Sequence, residues 1–177
     1  MSAGHTLITI FAMMLLTTIL LNFYGLLAAN GDIVSSGQDG ILMSTLATSY
    51  MEIASGLAYD SVTDSSSIAI GNPSMLTAAS KLGTESTAED SMFHYDDFDD
   101  FNGRTYTGTT LEEVANGTTR KYKTSFKVQY VNPGNIESVS ATQTFVKRLD
   151  IAIWRTFPPG KTDTLKVSTV MGYFHFD

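Results

Sequence analysis

The sequence predicts an α+β fold in which a long, apolar N-terminal α-helix continues into an amphipathic helix packed on a C-terminal antiparallel β-meander. Three observations lead to this prediction: an uncharged apolar run near the N-terminus, a helical repeat of apolar residues after it, and an alternation of period two in the C-terminal third. The chain of 177 residues has room for one such helix and one globular head. We therefore expect residues 1–31 to form an apolar stalk and residues 32–177 to form the head.

The predicted stalk has the length and composition of a membrane-spanning helix. Residues 1–31 contain no Asp, Glu, Lys or Arg, and residues 7–29 are a nearly continuous apolar run. At about 1.5 Å per residue this run reaches roughly 35 Å, which is enough to cross a hydrocarbon core of about 30 Å. Signal peptides have a basic start and an apolar stretch of only about 7 to 15 residues, so we expect a retained anchor. Because glycine destabilises helix interiors and Asn–Gly pairs favour turns, we also expect a break or a stretch of loosened helix near Gly25 and at residues 30–32.

A second helix is predicted over residues 40–59. Apolar residues recur there at intervals of three or four, which places them on one face of a helix. Asp39 stands where it would cap the start of this helix. We expect the apolar face to pack against the head. The face consists of Leu42, Leu46, Tyr50, Ile53 and Leu57.

The composition of residues 60–108 predicts a long acidic loop between the second predicted helix and the β-meander. We call this loop the crossover. The segment is rich in Ser, Thr, Asp and Gly and shows no sustained period. Loops of this length in compact domains are usually functional or ordered by binding, and short helical turns are expected near residues 74–82.

The C-terminal part, residues 109–177, predicts the β-meander. Residues 121–131 alternate between an apolar face and a polar face, as in a half-buried strand. The sequence Asn-Pro-Gly-Asn at residues 132–135 predicts a turn. The apolar face of the first strand consists of Tyr122, Phe126, Val128 and Tyr130.

Three further strands complete the predicted sheet. A strand at residues 141–157 places Trp154 on the face opposite to its apolar side, and another strand is expected at residues 164–176. The region from residue 106 to residue 114 predicts a fourth strand at an edge. Short connections between the strands favour an antiparallel sheet. The apolar face of the second strand consists of Phe145, Leu149, Ile151, Ile153 and Phe157.

The charge of the chain excludes some partners. The net charge is −7, and no basic cluster that would follow a phosphate backbone is present, so nucleic-acid binding is not expected. Residues 32–100 carry twelve acidic residues and one basic residue, whereas residues 101–177 carry six acidic and ten basic residues. These two segments attract each other, either within one subunit or between neighbours in an assembly. The absence of cysteine excludes disulfides and thiol chemistry.

An acidic segment near the end of the crossover is a candidate calcium site. Oxygen-bearing side chains cluster within seven positions before Gly103, and calcium binds six to eight oxygen ligands. The alternatives are a solvated acidic loop or pairing with Arg104, Arg120 or Lys121, because carboxylates held close together repel one another unless neutralised. No other cofactor is expected. The segment contains Asp96, Asp97, Asp99, Asp100 and Asn102.

Catalysis is not expected. The histidines His5, His94 and His175 lie in three distant regions, and no motif places a nucleophile beside a base. His94 is either a ligand near the acidic segment or a surface residue. Residues 116–118 form an Asn-Gly-Thr glycosylation sequon.

A short motif near the N-terminus resembles the processing motif of type IV pilins, in which a glycine precedes an aromatic residue, Thr, Leu, Ile and then glutamate. His5 stands in the aromatic place and Thr9 in the glutamate place. In that family the glutamate pairs with the terminal amine of a neighbouring subunit, a contact that Thr9 lacks the charge to make. The motif leaves open whether the mature chain begins after Gly4 or at Met1. It consists of Gly4, His5, Thr6, Leu7, Ile8 and Thr9.

The order of apolar helix, amphipathic continuation, crossover and meander also resembles type IV pilins and pilin-like proteins. The resemblance implies a subunit that is anchored in the inner membrane, is handled by a pilus assembly machinery, and polymerises with its own copies into a helical filament at the cell surface. A pseudopilin of a secretion system and a membrane-anchored β-head binding module are the alternatives, and adhesion, motility and DNA uptake are all left open. The residues expected in the filament core are Leu7, Ile8, Ile10, Phe11, Leu15, Leu16, Ile19, Leu20, Phe23 and Leu26.

Four polar side chains interrupt the apolar run. Thr9, Thr17, Thr18 and Asn22 can bond to their own helix in a bilayer or to a neighbouring helix in a tight bundle. The first alternative requires no partner, because an apolar span tolerates such residues when their polar atoms are satisfied within the helix.

Overall fold

The computed structural model describes residues 3–65, 69–113, 118–159 and 163–174, and it confirms the predicted α+β class. A long N-terminal helix is followed by a one-turn helix, short 3₁₀ turns and an antiparallel sheet. The helices are α1 (Ala3–Ser55) and α2 (Ser61–Ser65), and the strands are β1 (Thr105–Glu113), β2 (Thr118–Asn132), β3 (Asn135–Val139), β4 (Val146–Phe157) and β5 (Thr164–Gly172).

Helix α1 runs without interruption, so the predicted breaks at Gly25 and at residues 30–32 are wrong. Each glycine costs only about 1 kcal/mol in a helix, whereas a break forfeits several backbone hydrogen bonds at once. The first proline of the chain is Pro73, so no residue of α1 lacks a backbone donor. Asp39 lies inside the helix, and its predicted role as a cap is therefore also wrong.

The chain divides into two compact units, Met1–Ile41 and Leu42–Asp177, which we call the N-terminal and C-terminal units. In the C-terminal unit the buried face of α1 shares Tyr50 with the predicted stripe but is otherwise rotated by one residue, because the other four members of the stripe are only partly buried. Two of the buried positions are alanines, whose small side chains let the helix backbone approach its neighbours closely. The buried face consists of Met43, Ala47, Tyr50 and Ala54.

The sheet has the strand order β1-β2-β4-β5, all antiparallel, and β3 pairs with the end of β2. The predicted turn at residues 132–135 is confirmed, because Asn132 pairs with Asn135 across it. The predicted edge strand is β1. Strand β3 escaped prediction because it is largely exposed and therefore shows no apolar alternation.

Alternation within β2 and β4 builds the core of the C-terminal unit. The inward residues of β2 are buried, and so are Leu149, Ile151 and Ile153 of β4. Trp154 lies on the opposite face, as predicted, with the Lys123 ammonium 5.7 Å from its ring centre. Phe157 was expected on the buried face but is 48 % exposed. It stands at the last position of β4, directly after an irregularity at which β4 contains one extra residue, Thr156, relative to β2.

The crossover contains two 3₁₀ turns, and the second of them contains part of the candidate functional site. Pro73–Met75 lies at the start of the region where helical turns were predicted, and Asn72 caps it by accepting a hydrogen bond from Ser74. The second turn, Phe98–Phe101, holds the acidic segment. Gly103 follows the C-cap of this turn, Asn102, and its φ of +71° belongs to the left-handed region that favours glycine.

Replacing Gly103 with alanine should lower the free energy of unfolding by about 1–2 kcal/mol, because an L side chain is strained at positive φ. The measurement is urea unfolding of the full chain in detergent, followed by fluorescence of Trp154, the single tryptophan. Gly134→Ala is the matched control, since Gly134 has no positive φ and no atom within 4 Å of an added Cβ. Equal losses in both variants would contradict the assignment.

Candidate functional site

The acidic segment is held inside the C-terminal unit by two aromatic side chains. Phe98 and Phe101 are both 0 % exposed, and the Phe101 ring lies 5.1 Å from Tyr95 and 5.2 Å from Phe126. Burial of each ring contributes about 1.5–3 kcal/mol, which is enough to carry neighbouring polar residues out of water. Asn102 fastens the same segment to β2 by accepting a hydrogen bond from the Val128 N–H at 3.0 Å.

Three of the four predicted acidic ligands are consequently buried. Asp97, Asp99 and Asp100 are fully buried, whereas Asp96 is exposed, so the segment is not a solvated loop. Asp97 Oδ1 accepts a hydrogen bond from the Asp99 N–H at 2.7 Å. Asp100 Oδ2 accepts from the N–H groups of Asp96 and Asp97 at 3.0 and 3.3 Å. These bonds form a capping box that stabilises the 3₁₀ turn.

The cation that neutralises Asp99 is Lys147 of β4, and not Arg104, Arg120 or Lys121. The Lys147 ammonium is fully buried and donates to the Tyr59 carbonyl oxygen at 2.8 Å, to Asp60 Oδ2 at 2.9 Å and to Asp99 Oδ1. An ammonium has three donors, and all three are therefore used.

Aromatic rings enclose this buried lysine. The Tyr59 and Tyr130 ring centres lie 4.7 and 5.5 Å from Lys147 Nζ, within the range of a cation–π contact. The Tyr130 hydroxyl donates to the Thr77 carbonyl oxygen at 2.8 Å and to Asp60 Oδ2 at 3.3 Å. The surroundings fix the ammonium in place, which suits a structural cation better than a reactive amine.

Sequence reasoning missed Lys147, although its position in the alternation of β4 held the signal. Lys147 occupies the same face of the strand as Leu149, Ile151 and Ile153, which points inward. A lysine at an inward position of an otherwise apolar face requires a buried carboxylate nearby. Asp60 and Asp99 are those carboxylates, and they lie 87 and 48 residues away in sequence.

The carboxyl group of Asp60 is held in its ionised form. Burial raises its pKa, but the Lys147 charge and the hydrogen bonds from Lys147 and Thr77 outweigh burial and keep the pKa below the ordinary 3.8. The Thr77 hydroxyl and N–H bond Asp60 at 3.0 and 3.1 Å. Asp60 lies between α1 and α2, and its carboxylate binds Thr77 of the crossover and Lys147 of β4.

The remaining acids of the segment lack such compensation. Burial, together with the neighbouring charge of Asp99, raises the pKa of Asp97 to about 8. Burial also raises the pKa of Asp100 to about 6, against the hydrogen bonds that it receives. The pKa values of Glu85 and Asp96 are raised too, chiefly because their carboxyl groups lose part of their hydration. The ionised forms of these groups are thus disfavoured where they stand.

Other predicted site residues lie apart from the segment. Arg104 donates to the Thr84 hydroxyl at 2.7 Å and to the Glu89 carbonyl oxygen at 3.2 Å. His94 is exposed and bonds Asp90 at 2.8 Å, which places it on the surface. The asparagine of the sequon and the third histidine, His175, lie outside the described residues.

The ten predicted filament-core residues lie in the N-terminal unit, and all are exposed there, from 45 % to 70 %. The helix is long and apolar enough to cross a membrane. Thr9, Thr17, Thr18 and Asn22 each donate to a carbonyl oxygen three or four residues earlier at 2.8–2.9 Å. The three threonine hydroxyl donors and one of the two amide donors of Asn22 are therefore satisfied within the helix. The processing motif also lies in α1, and its cleavage stays a prediction.

The fold defines a class of protein: an apolar N-terminal helix that continues into an α+β unit built on an antiparallel sheet. Comparisons with protein-family models, with curated proteins and with solved structures found no match. The layout is pilin-like.

Replacing Lys147 with methionine should lower the free energy of unfolding by about 3–5 kcal/mol, because Asp60 and Asp99 would remain buried without their cation. Urea unfolding followed by Trp154 fluorescence measures the change. The matched control is Lys127→Met, since Lys127 is an exposed residue of β2 and should change stability by less than about 0.5 kcal/mol. A small, equal effect of both substitutions would rule out the central role of Lys147.

The low pKa of Asp60 predicts how stability depends on pH. Its ionised form stabilises the fold above the unfolded value of 3.8, and this contribution is lost as the pH falls through the lower folded value. The urea midpoint should therefore fall between about pH 5 and pH 2.5 more steeply for the natural chain than for Asp60→Asn. Asp64→Asn, a change at an exposed residue of α2, should keep the steep profile. Parallel profiles for Asp60→Asn and the natural chain would refute the assignment.

Proposed function

We propose that this chain is the structural subunit of an extracellular, type IV pilus-like filament and that it polymerises through its N-terminal apolar helix. The observation that carries the proposal is the apolar surface of α1 in the N-terminal unit, which the chain itself leaves exposed. A surface of this kind is stable in only two settings, a lipid bilayer or a bundle of identical helices. A filament subunit uses both settings in turn.

The polar residues of the helix support this double use. Residues 1–31 contain no charged side chain, and Thr9, Thr17, Thr18 and Asn22 each donate a side-chain hydrogen bond to the backbone of their own helix. In hydrocarbon such bonding removes the penalty of an unsatisfied polar group. The same bonding lets the helix pack against another apolar helix without loss.

The path of α1 favours a filament subunit over a tethered binding module. A tether needs only an apolar span, whereas α1 continues and supplies Met43, Ala47, Tyr50 and Ala54 to the core of the C-terminal unit. A single helix therefore belongs to both units. This construction favours a role in which forces on the N-terminal helix are carried by the folded unit.

The proposal includes the partners of the chain. They are other copies of it in a helical filament, the inner membrane before assembly, and an assembly machinery that moves the subunit between the two. A pseudopilin would share these properties but would form a short periplasmic assembly, and an anchored binding module would stay a monomer. Electron microscopy of material sheared from producing cells separates the three. Mass spectrometry of the N-terminal peptide reports whether cleavage follows Gly4.

Replacing Leu16 with aspartate should abolish filaments in the sheared fraction, because a carboxylate near the middle of an apolar helix costs about 2.5–3.5 kcal/mol per subunit in hydrocarbon and is equally unpaired in a helix bundle. Met75→Asp is the matched control. Met75 is 54 % exposed and Leu16 is 56 % exposed, but Met75 belongs to the C-terminal unit. The Met75→Asp substitution should leave the number and length of the filaments unchanged.

Membrane fractionation of the same cells separates failed insertion from failed assembly. Normal filaments from Leu16→Asp, or monomers alone from the natural chain, would refute the proposal.

A further inference from the structure

Carboxyl groups from two parts of the crossover converge in the C-terminal unit. One oxygen each from Glu85, Asp96 and Asp100 lies within 4.8 Å of the other two, and the same holds for Glu85, Asp97 and Asp99. Glu85 belongs to both sets, and each of the other four residues has a carboxylate oxygen within 4.8 Å of a Glu85 oxygen. We call these five residues the cluster. Asp96 and Glu85 are exposed and the other three are buried, which gives the cluster an inner side and an open side.

Two of the buried carboxylates keep an oxygen without a partner. Asp97 uses Oδ1 to accept from the Asp99 N–H, and its Oδ2 has no hydrogen-bond partner. Asp100 uses Oδ2 for the N–H groups of Asp96 and Asp97, and its Oδ1 has none. Both residues are 0 % exposed. A buried acceptor that forms no bond is destabilising and rare in folded proteins, and each of these two oxygens has a lone pair that a ligand could use.

The chain does not supply a cation for this cluster within its described part. Lys147 spends its three donors on Tyr59, Asp60 and Asp99, and its single positive charge is shared by two carboxylates. The ion pairs of the described residues do not include the four remaining carboxylates. These are Glu85, Asp96, Asp97 and Asp100.

We propose that Glu85, Asp96, Asp97 and Asp100 bind a calcium ion. The donors are all carboxylate oxygens, which hard cations prefer. Calcium tolerates irregular arrangements of six to eight oxygens, whereas magnesium requires a small, near-ideal octahedron. The two exposed members open the site to solvent, so water can complete the coordination.

A bound calcium ion would join the two parts of the crossover. Glu85 lies eleven residues before Asp96, and no strand of the sheet contains either residue. The ion would neutralise the surplus of acids that Lys147 leaves uncompensated, and it would satisfy the two orphan oxygens. The inference concerns the C-terminal unit alone and does not rest on polymerisation.

Isothermal titration of calcium chloride into the full chain, purified in detergent and freed of metal with EDTA, tests the site. We expect one saturable site with a Kd at or below about 1 mM, the range of weak calcium modules. Thermal unfolding followed by Trp154 fluorescence should shift upward by several degrees with calcium and by less with an equal concentration of magnesium. No saturable heat and no shift in the natural chain would overturn the proposal.

Substitutions locate the site. Asp97→Asn combined with Asp100→Asn should abolish calcium binding, and Glu85→Gln should weaken it at least tenfold. Glu85 is exposed, so its substitution decides the question if the double variant fails to fold. Glu137→Gln removes one carboxylate of β3 that pairs with Arg148, and it should leave the affinity unchanged. Calcium binding of natural affinity in Glu85→Gln would overturn the assignment.

Discussion

The C-terminal unit depends on one buried ammonium group. Lys147 of β4 bonds Asp60, which follows the end of α1, and Asp99, which lies in the 3₁₀ turn of the crossover. Three segments that are far apart in sequence are thereby held at one point. Because a buried charge is tolerated only with its partners in place, the lysine, the two acids and the enclosing tyrosines form a single cooperative arrangement.

The same lysine explains the contrast among the neighbouring acids. It pairs with Asp60 and Asp99, and it leaves Asp97 and Asp100 to be stabilised by backbone N–H groups and by the burial of the adjacent phenylalanines. The pKa of Asp97 is raised although Lys147 acts to lower it, because desolvation and Asp99 act more strongly. The burial of Phe98 and Phe101 thus stabilises an interior that contains more carboxyl groups than Lys147 can pair with.

Periodicity was sufficient to predict the class of fold, the apolar helix and the strands that have one buried face. The period-two pattern located β2, and the uncharged run located α1, because each pattern follows directly from which face meets water. Local propensity was misleading at Gly25 and Asp39, where the cooperativity of the helix prevails over single residues.

Only some residues of the candidate site could be predicted from the sequence. The acids from Asp96 to Asp100 are adjacent in the chain and could be recognised, and the two aromatic anchors lie among them. Lys147, Asp60 and Glu85 come from other segments, and their proximity arises from tertiary packing, which a single sequence does not encode at fixed spacing. An inward-facing lysine in a strand is the one signal that pointed to them.

The internal hydrogen bonds of Thr17, Thr18 and Asn22 have a consequence for how one helix recognises another. With these donors committed to their own backbone, the surface between residues 7 and 29 presents shape but few directional contacts. The interaction energy of two such helices therefore changes little as one is shifted along the axis of the other. Axial register in an assembly would then be specified by the folded units, whose charged surfaces provide the directionality that the helices lack.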